Sequence, residues 1–170
     1  ASTVPIQALW AFVERQDPDW VVDLHEGFDF HVANEKSDGS SIIYFDTPEM
    51  QRSAAKIHAA VNATIDNPGR KIVRLSKRGP INGGLVRAAV KNLGAKGFCF
   101  ETTYQHQPLS VRTRQHRIMV DCLVRELEMG VGNVNVMVSA DPSNRICVAV
   151  YDAGGTGGKG VKNLERILES

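Results

Sequence analysis

Cysteine is scarce in this 170-residue chain. Its three copies, Cys99, Cys122 and Cys147, are an odd number set in apolar segments, which excludes a complete disulfide framework and reads as reduced core thiols. Such thiols favour a reducing compartment, and so a cytoplasmic location. An excess of either charge is missing as well. Lys and Arg number 20 against 19 Asp and Glu, and a net charge of +1 offers phosphate backbones or anionic lipid no long-range attraction. Nucleic acid is not an expected partner. No apolar run approaches the roughly 18 residues that span a bilayer, and the N-terminus lacks the basic and apolar regions of a signal peptide. No membrane partner is expected, and the chain should be soluble. What it does have is 42% hydrophobic residues, enough to bury one sizeable core.

The periodicities alternate between helix and strand. Ile6, Leu9, Trp10 and Val13 recur at helical spacing, Asp17-Pro18-Asp19 breaks the run, and Trp20 to His25 reads as a strand. Ile42 to Phe45 is a second strand. Thr47-Pro48-Glu49 then opens a helix carrying Met50, Ala54, Ile57, Ala60, Val61 and Ile65, which should stop before Asn67-Pro68-Gly69. Lys71 to Ser76 reads as strand, Asn82 to Leu93 as a short helix closed by Gly94, and Gly97 to Thr103 as an apolar strand. A long helix from Pro108 to Met129 turns Ile118, Met119, Cys122, Leu123 and Leu127 inward and should end at Gly130. This alternation predicts an α/β fold with a mixed, mostly parallel sheet covered by helices on both faces, over residues 1–130.

Residues 131–170 read as the start of a second α/β unit. Asn133 to Val138 and Arg145 to Tyr151 are short β segments, and a glycine loop from Asp152 to Gly160 leads into an amphipathic helix. A loop at a helix N-terminus can hold an anion, but a Walker loop needs glycine six positions before Lys159 and Ser or Thr after it. Those positions hold Ala153 and Gly160, so nucleotide binding is not expected. Val148 to Asp152 with its glycines resembles the first strand and turn of amidotransferase-like domains, without a catalytic cysteine.

Chemistry concentrates where the first strand ends. Asp23 and His25 share a strand face and are followed by Glu26, Asp29 and His31, an unusual density of ligand-type side chains. The local zinc spacings nevertheless fail. A metalloprotease helix would need a histidine where Asp29 stands, and His25 and His31 share a strand face only if the strand runs unbroken through Gly27, which is a natural break. Glu101 is the second candidate. It ends a segment that is apolar on both faces, where desolvation raises a carboxylate's pKa and suits it to accept and return a proton. Its bland alternative is an ion pair with Arg112 tying strand to helix.

Asp23-Leu24-His25 at the end of an apolar strand, after a helix and an Asp-Pro-Asp turn, resembles the zinc carboxypeptidase-like superfamily, in its succinylglutamate desuccinylase and aspartoacylase branch. Gly97 to Thr103, followed by Gln107-Pro108-Leu109-Ser110-Val111-Arg112 and His116, is similar to that family's glutamate-bearing strand and arginine-bearing helix. The resemblance covers roughly residues 1 to 130. It implies that His25 is the third ligand of Zn2+, that Glu101 is the general base, and that an amide bond in a peptide C-terminus or N-acyl amino acid is hydrolysed. Arg112, Tyr104 and Glu26 are then candidates for contact with substrate, Tyr104 by donating to a tetrahedral intermediate and Arg112 by holding a carboxylate.

One departure from the family is large. Its other two ligands come from a His-x-x-Glu motif upstream, and none of the five histidines here begins one. Its substrate-holding Asn-Arg pair is also missing before the triplet, where only Arg15 is present. The expectation is a piece of a longer polypeptide, with an N-terminal companion segment or chain supplying two zinc ligands. The alternatives are a metal-free α/β binding or regulatory module that uses the His25 pocket, and an amidotransferase-like assembly around the C-terminal unit. His58, His106 and His116 are expected to play structural or solvated roles, and Arg70, Lys71, Arg74, Lys77 and Arg78 to form a solvated basic face.

If a companion supplies the missing ligands, mass spectrometry of the purified native protein should find an N-terminal fragment and stoichiometric zinc together. Zinc-free protein with no such fragment would count against it.

Overall fold

The computed structural model describes residues 4–76 and 79–128. The β segments, glycine loop and helix expected after residue 130 lie outside the described residues, as do Lys77 and Arg78 of the basic face.

Helix α1 (Val4–Gln16) leads through the Asp-Pro-Asp break into strand β1 (Trp20–Gly27). Strand β2 (Ser41–Tyr44) precedes helix α2 (Pro48–Asn62), whose first turn is capped as expected when the Met50 amide donates to the Thr47 hydroxyl at 3.3 Å. Strand β3 (Val73–Leu75), helix α3 (Leu85–Leu93), strand β4 (Lys96–Thr103) and helix α4 (Leu109–Glu126) complete the order. The sheet runs β1-β4-β2-β3, with β1 parallel to β4, β2 parallel to β3 and β2 antiparallel to β4. It is the mixed, mostly parallel sheet expected.

Several boundaries moved for local reasons. Helix α2 stops at Asn62 rather than Ile65, because the Asn62 amide turns outward to pair with both backbone groups of Ile72 at 2.9 Å. That pairing also shortens β3, since Ile72 is engaged before the ladder begins. Helix α3 starts at Leu85 rather than Asn82, because Gly83 sits at φ 83°, outside helical space. Helix α4 ends at Glu126, before the expected Gly130, with Glu128 turning left-handed at φ 56°.

The two faces of the sheet carry different cores. On one, Phe98 and Phe100 of β4 and Ile42 and Tyr44 of β2 meet Met50, Ala54, Ile57 and Val61 of α2 and Met119 and Leu123 of α4. Trp20, Val22 and Leu24 of β1 extend this layer. On the other, Val21 packs with Val86 and Ala89 of α3 and Ala95, and Trp10 of α1 lies against them. Gly97 makes the second packing close. A Cβ there would stand 2.6 Å from the Val21 carbonyl oxygen and 2.7 Å from a Val86 methyl.

Gly97→Ala should therefore cost about 1–3 kcal/mol by overpacking, read as a lower urea midpoint at unchanged slope. An unchanged midpoint would mean that α3 does not seat on β4 as described.

Candidate active site

Parallel pairing of β1 with β4 sets Asp23 opposite Cys99 and His25 opposite Glu101. Side chains alternate along a strand, so all four project from one face, the face that α1 and α3 cover only at its Val21 end. β2 extends both rows, with Ile43 beside Cys99 and Ser41 beside Glu101. The result is a polar row, His25, Glu101 and Ser41, at the carboxyl ends of β1 and β4. Behind it lies a second row of Asp23, Cys99 and Ile43.

The loop from 28 to 40 closes over these strand ends. Phe30 bridges to Gly39, the His31 amide donates to the Gly39 carbonyl at 2.9 Å, and the Ser37 hydroxyl donates to the Asp29 carbonyl at 2.7 Å. Glycine is required at both ends of this closure, since a Cβ on Gly27 would lie 2.2 Å from the Gly39 nitrogen. The closure brings Asp38 to the site, where its charge acts on both Glu101 and Cys99.

Electrostatics follow from burial. Asp23 is 4% exposed and its Oδ2 lies 2.9 Å from Nε2 of His25, so the carboxylate braces the ring. Glu101 is 8% exposed; desolvation raises its pKa to about 7, opposed by His25 and by a hydrogen bond from the Cys99 thiol, and assisted by Asp38 and Asp23. Burial, with Glu101 next in weight, pushes the Cys99 thiol strongly upward.

Zinc can be weighed against these donors. One ligand atom from each of Asp23, His25 and Cys99 falls within 4.8 Å of the others, and Oδ1 of Asp23 is buried without a hydrogen-bond partner. Oxygen, nitrogen and sulfur are all zinc donors, and an imidazole braced by a carboxylate is the usual state of a ligating histidine. The donor set fits zinc in kind, with a single imidazole.

The other expected site residues divide between the opposite face and the carboxyl rim. Glu26 and Arg112 project from the opposite face of the sheet and pair with each other, the guanidinium donating to both Glu26 oxygens. The alternative ion pair between Glu101 and Arg112 is therefore replaced by one to Glu26. Tyr104 stands at the carboxyl rim, exposed and edge-on to Phe28 at 5.8 Å. His31 is held within its loop by the Ser37 carbonyl, 2.7 Å from Nδ1, and Asp29 accepts from the Phe30 amide. His116 hydrogen-bonds the Thr102 hydroxyl at 3.1 Å, a structural role as expected. His106 is exposed in a turn, and His58 is half-buried with its pKa lowered by burial.

Sequence reasoning missed two members of the site. Cys99 read as a core thiol but lies between Asp23 and Glu101, its Sγ 3.6 Å from Oε1 of Glu101. Its place on the Glu101 face follows from strand alternation alone, so the signal was available. Asp38 sat in a loop without periodicity, and only the Gly27 to Gly39 closure brings it in.

No protein-family model matches the chain, and no curated protein matches it by sequence. Solved structures do. A variant of the cell shape determinant protein Csd4 from Helicobacter pylori superposes with a TM-score of 0.63 at 20% identity, over 73% of this chain and 34% of that one. The mDAP-bound form of Csd4, a D,L-carboxypeptidase, gives 0.62 at 19% identity over the same shares. The tripeptide-bound form gives the same values. The chain thus shares the fold of Csd4 and spans about a third of its length.

Burial lifts Glu101 from an ordinary 4.5 to about 7, so the folded state prefers its protonated form. Its contribution to stability is complete below about pH 4.5 and is lost as the pH rises through about 7. Unfolding free energy should accordingly fall by a few kcal/mol across that window, and Glu101→Gln should flatten the fall. A profile that the substitution leaves unchanged would refute this placement of the carboxyl.

Proposed function

We propose that this chain carries part of the active site of a zinc-dependent amidohydrolase acting at peptide C-termini. The observation that supports it most is the side-by-side placement of His25 and Glu101 on one face, at the carboxyl ends of adjacent parallel strands. Parallel α/β sheets use that end for ligands. Fold likeness to a D,L-carboxypeptidase inclines the reading toward peptides rather than N-acyl amino acids. The Asp-Leu-His resemblance to the desuccinylase branch keeps an acyl amino acid as the neighbouring substrate class.

Each residue then has a task. Asp23 braces the His25 ring at Nε2, as a carboxylate would steady an imidazole that holds a metal. Zinc held at His25 would supply a lowered pKa for a coordinated water and polarisation of the scissile carbonyl. Glu101 takes the proton from the attacking water as its oxygen bonds to the carbonyl carbon, then passes that proton to the leaving amine as the C–N bond breaks. A group titrating near neutral pH performs both transfers with little penalty in either direction. Phe28 and Tyr104 form an aromatic rim that substrate meets on entry. Asp23 and Cys99 are the other zinc-type donors beside His25 in this chain; the family resemblance would instead draw two further ligands from an N-terminal companion segment.

A metal-free binding module is the second reading. It uses the same Asp23–His25 pair, 2.9 Å apart, as a pocket for a carboxylate ligand. Metal analysis of the native protein separates the two.

Glu101→Gln should lower the rate of release of a C-terminal residue by roughly 10²–10⁴-fold, with the far-ultraviolet circular dichroism unchanged. Chelation should abolish the wild-type rate and added zinc restore it. Full activity in the variant, or in chelated protein, would overturn the assignment.

A further inference from the structure

The face of the sheet opposite the candidate site carries a second polar cluster, where the surrounding layer is apolar. Glu26 directly follows His25 on β1, Thr102 directly follows Glu101 on β4, and the two are register partners. They are also joined to each other, with the Thr102 hydroxyl donating to Oε1 of Glu26 at 3.4 Å. Helix α4 grips both. Arg112 donates to both oxygens of Glu26, and Nε2 of His116 lies 3.1 Å from the Thr102 hydroxyl.

Proton counting orders this chain. A threonine hydroxyl has one proton, and here it goes to Glu26, so His116 must donate to Thr102 through an Nε2–H. The sequence of donors is His116 to Thr102 to Glu26, with Arg112 closing from the far side. Thr102 is fully buried, and the Arg112 and Glu26 side chains are 17% and 28% exposed, so solvent competes weakly for these bonds.

Consecutive side chains on a strand point in opposite directions, so whatever fixes Glu26 and Thr102 fixes His25 and Glu101 on the reverse side. Both strands end just beyond this point, at Gly27 and Thr103, where backbone otherwise frays into loop. We infer that Glu26, Thr102, Arg112 and His116 form a positioning cluster that clamps the tips of β1 and β4 to α4 and thereby sets His25 against Glu101. The inference rests on the proposed amidohydrolase reading. It gives Arg112 and Glu26 a different task from the contact with substrate that the sequence pattern implied.

The two roles separate in kinetics. A positioning defect moves the reacting groups and lowers kcat, whereas loss of a substrate contact raises KM. In the complete native protein, Arg112→Gln should lower kcat about tenfold or more with KM within about twofold, and Arg112→Lys should recover part of the loss. Glu26→Gln keeps the shape of the side chain and should give the same pattern, which guards against misfolding of the arginine variant. A raised KM at unchanged kcat would overturn the inference in favour of substrate contact. Nitrogen NMR of the His25 ring, assigned with His25→Ala, reads the same question without turnover. Both variants should shift the His25 ring resonances on the far side of the sheet. Unmoved resonances would overturn the clamp even if hydrolysis is confirmed, and shifted resonances in a protein without hydrolytic activity would retain the clamp while rejecting the amidohydrolase.

Discussion

Eight consecutive residue pairs tie β1 to β4 in parallel, from Trp20 with Lys96 to Gly27 with Thr103. Every part of the candidate site depends on this register, because a slip of one residue would send His25 and Glu101 to opposite faces. Both ends of the ladder are held. The Lys96 amide donates to the Asp19 carbonyl at 2.8 Å, and the Tyr104 amide donates to the Gly27 carbonyl at 3.2 Å. Between them, the Trp20 ring stacks on Phe98 at 6.1 Å, and Gly97 admits α3 only when it faces Val21. Apolar packing thus selects a register whose chemical consequence appears several residues further along.

The sheet also acts as a partition. One face is packed by α2 and α4, and its polar residues are consumed in the cluster that joins Glu26, Thr102, Arg112 and His116. The other face is covered by α1 and α3 at one end, and its far end carries Asp23, His25, Cys99 and Glu101. Three acidic groups converge there, Asp23, Asp38 and Glu101, against one imidazole. Desolvation, assisted by the charges of Asp38 and Asp23 and opposed by His25, raises the Glu101 carboxyl to about 7.

A fold is not an activity. Likeness to Csd4 at about a fifth identity accounts for the layers and the sheet order, and the activity proposed for this chain rests on the named side chains of the site. The glycine pair at Gly27 and Gly39 is as much part of that site as the ionisable groups, since the loop that delivers Asp38 can close only against bare backbone.

Much of this was readable from sequence because it depends on neighbours along the chain. Period two placed Asp23 and His25 together, and a short run apolar on both faces marked Gly97 to Thr103 as a buried strand; period 3.6 found the inward faces of α2 and α4; Thr47-Pro48 announced its own cap. Helix ends were read less well, since Asn62 and Gly83 stop or delay helices through side-chain pairing and backbone angle rather than through hydropathy. Sequence alone also paired His25 with Glu101, although only by resemblance. The tertiary structure decided what pairing across strands decides: that Cys99 lies beside Glu101, that Asp38 reaches the site, and that Glu26 and Arg112 meet each other behind the sheet. Local periodicity determines which way a side chain points from its own strand, whereas which strand lies alongside, and in what register, is settled only when distant segments bury their apolar faces together.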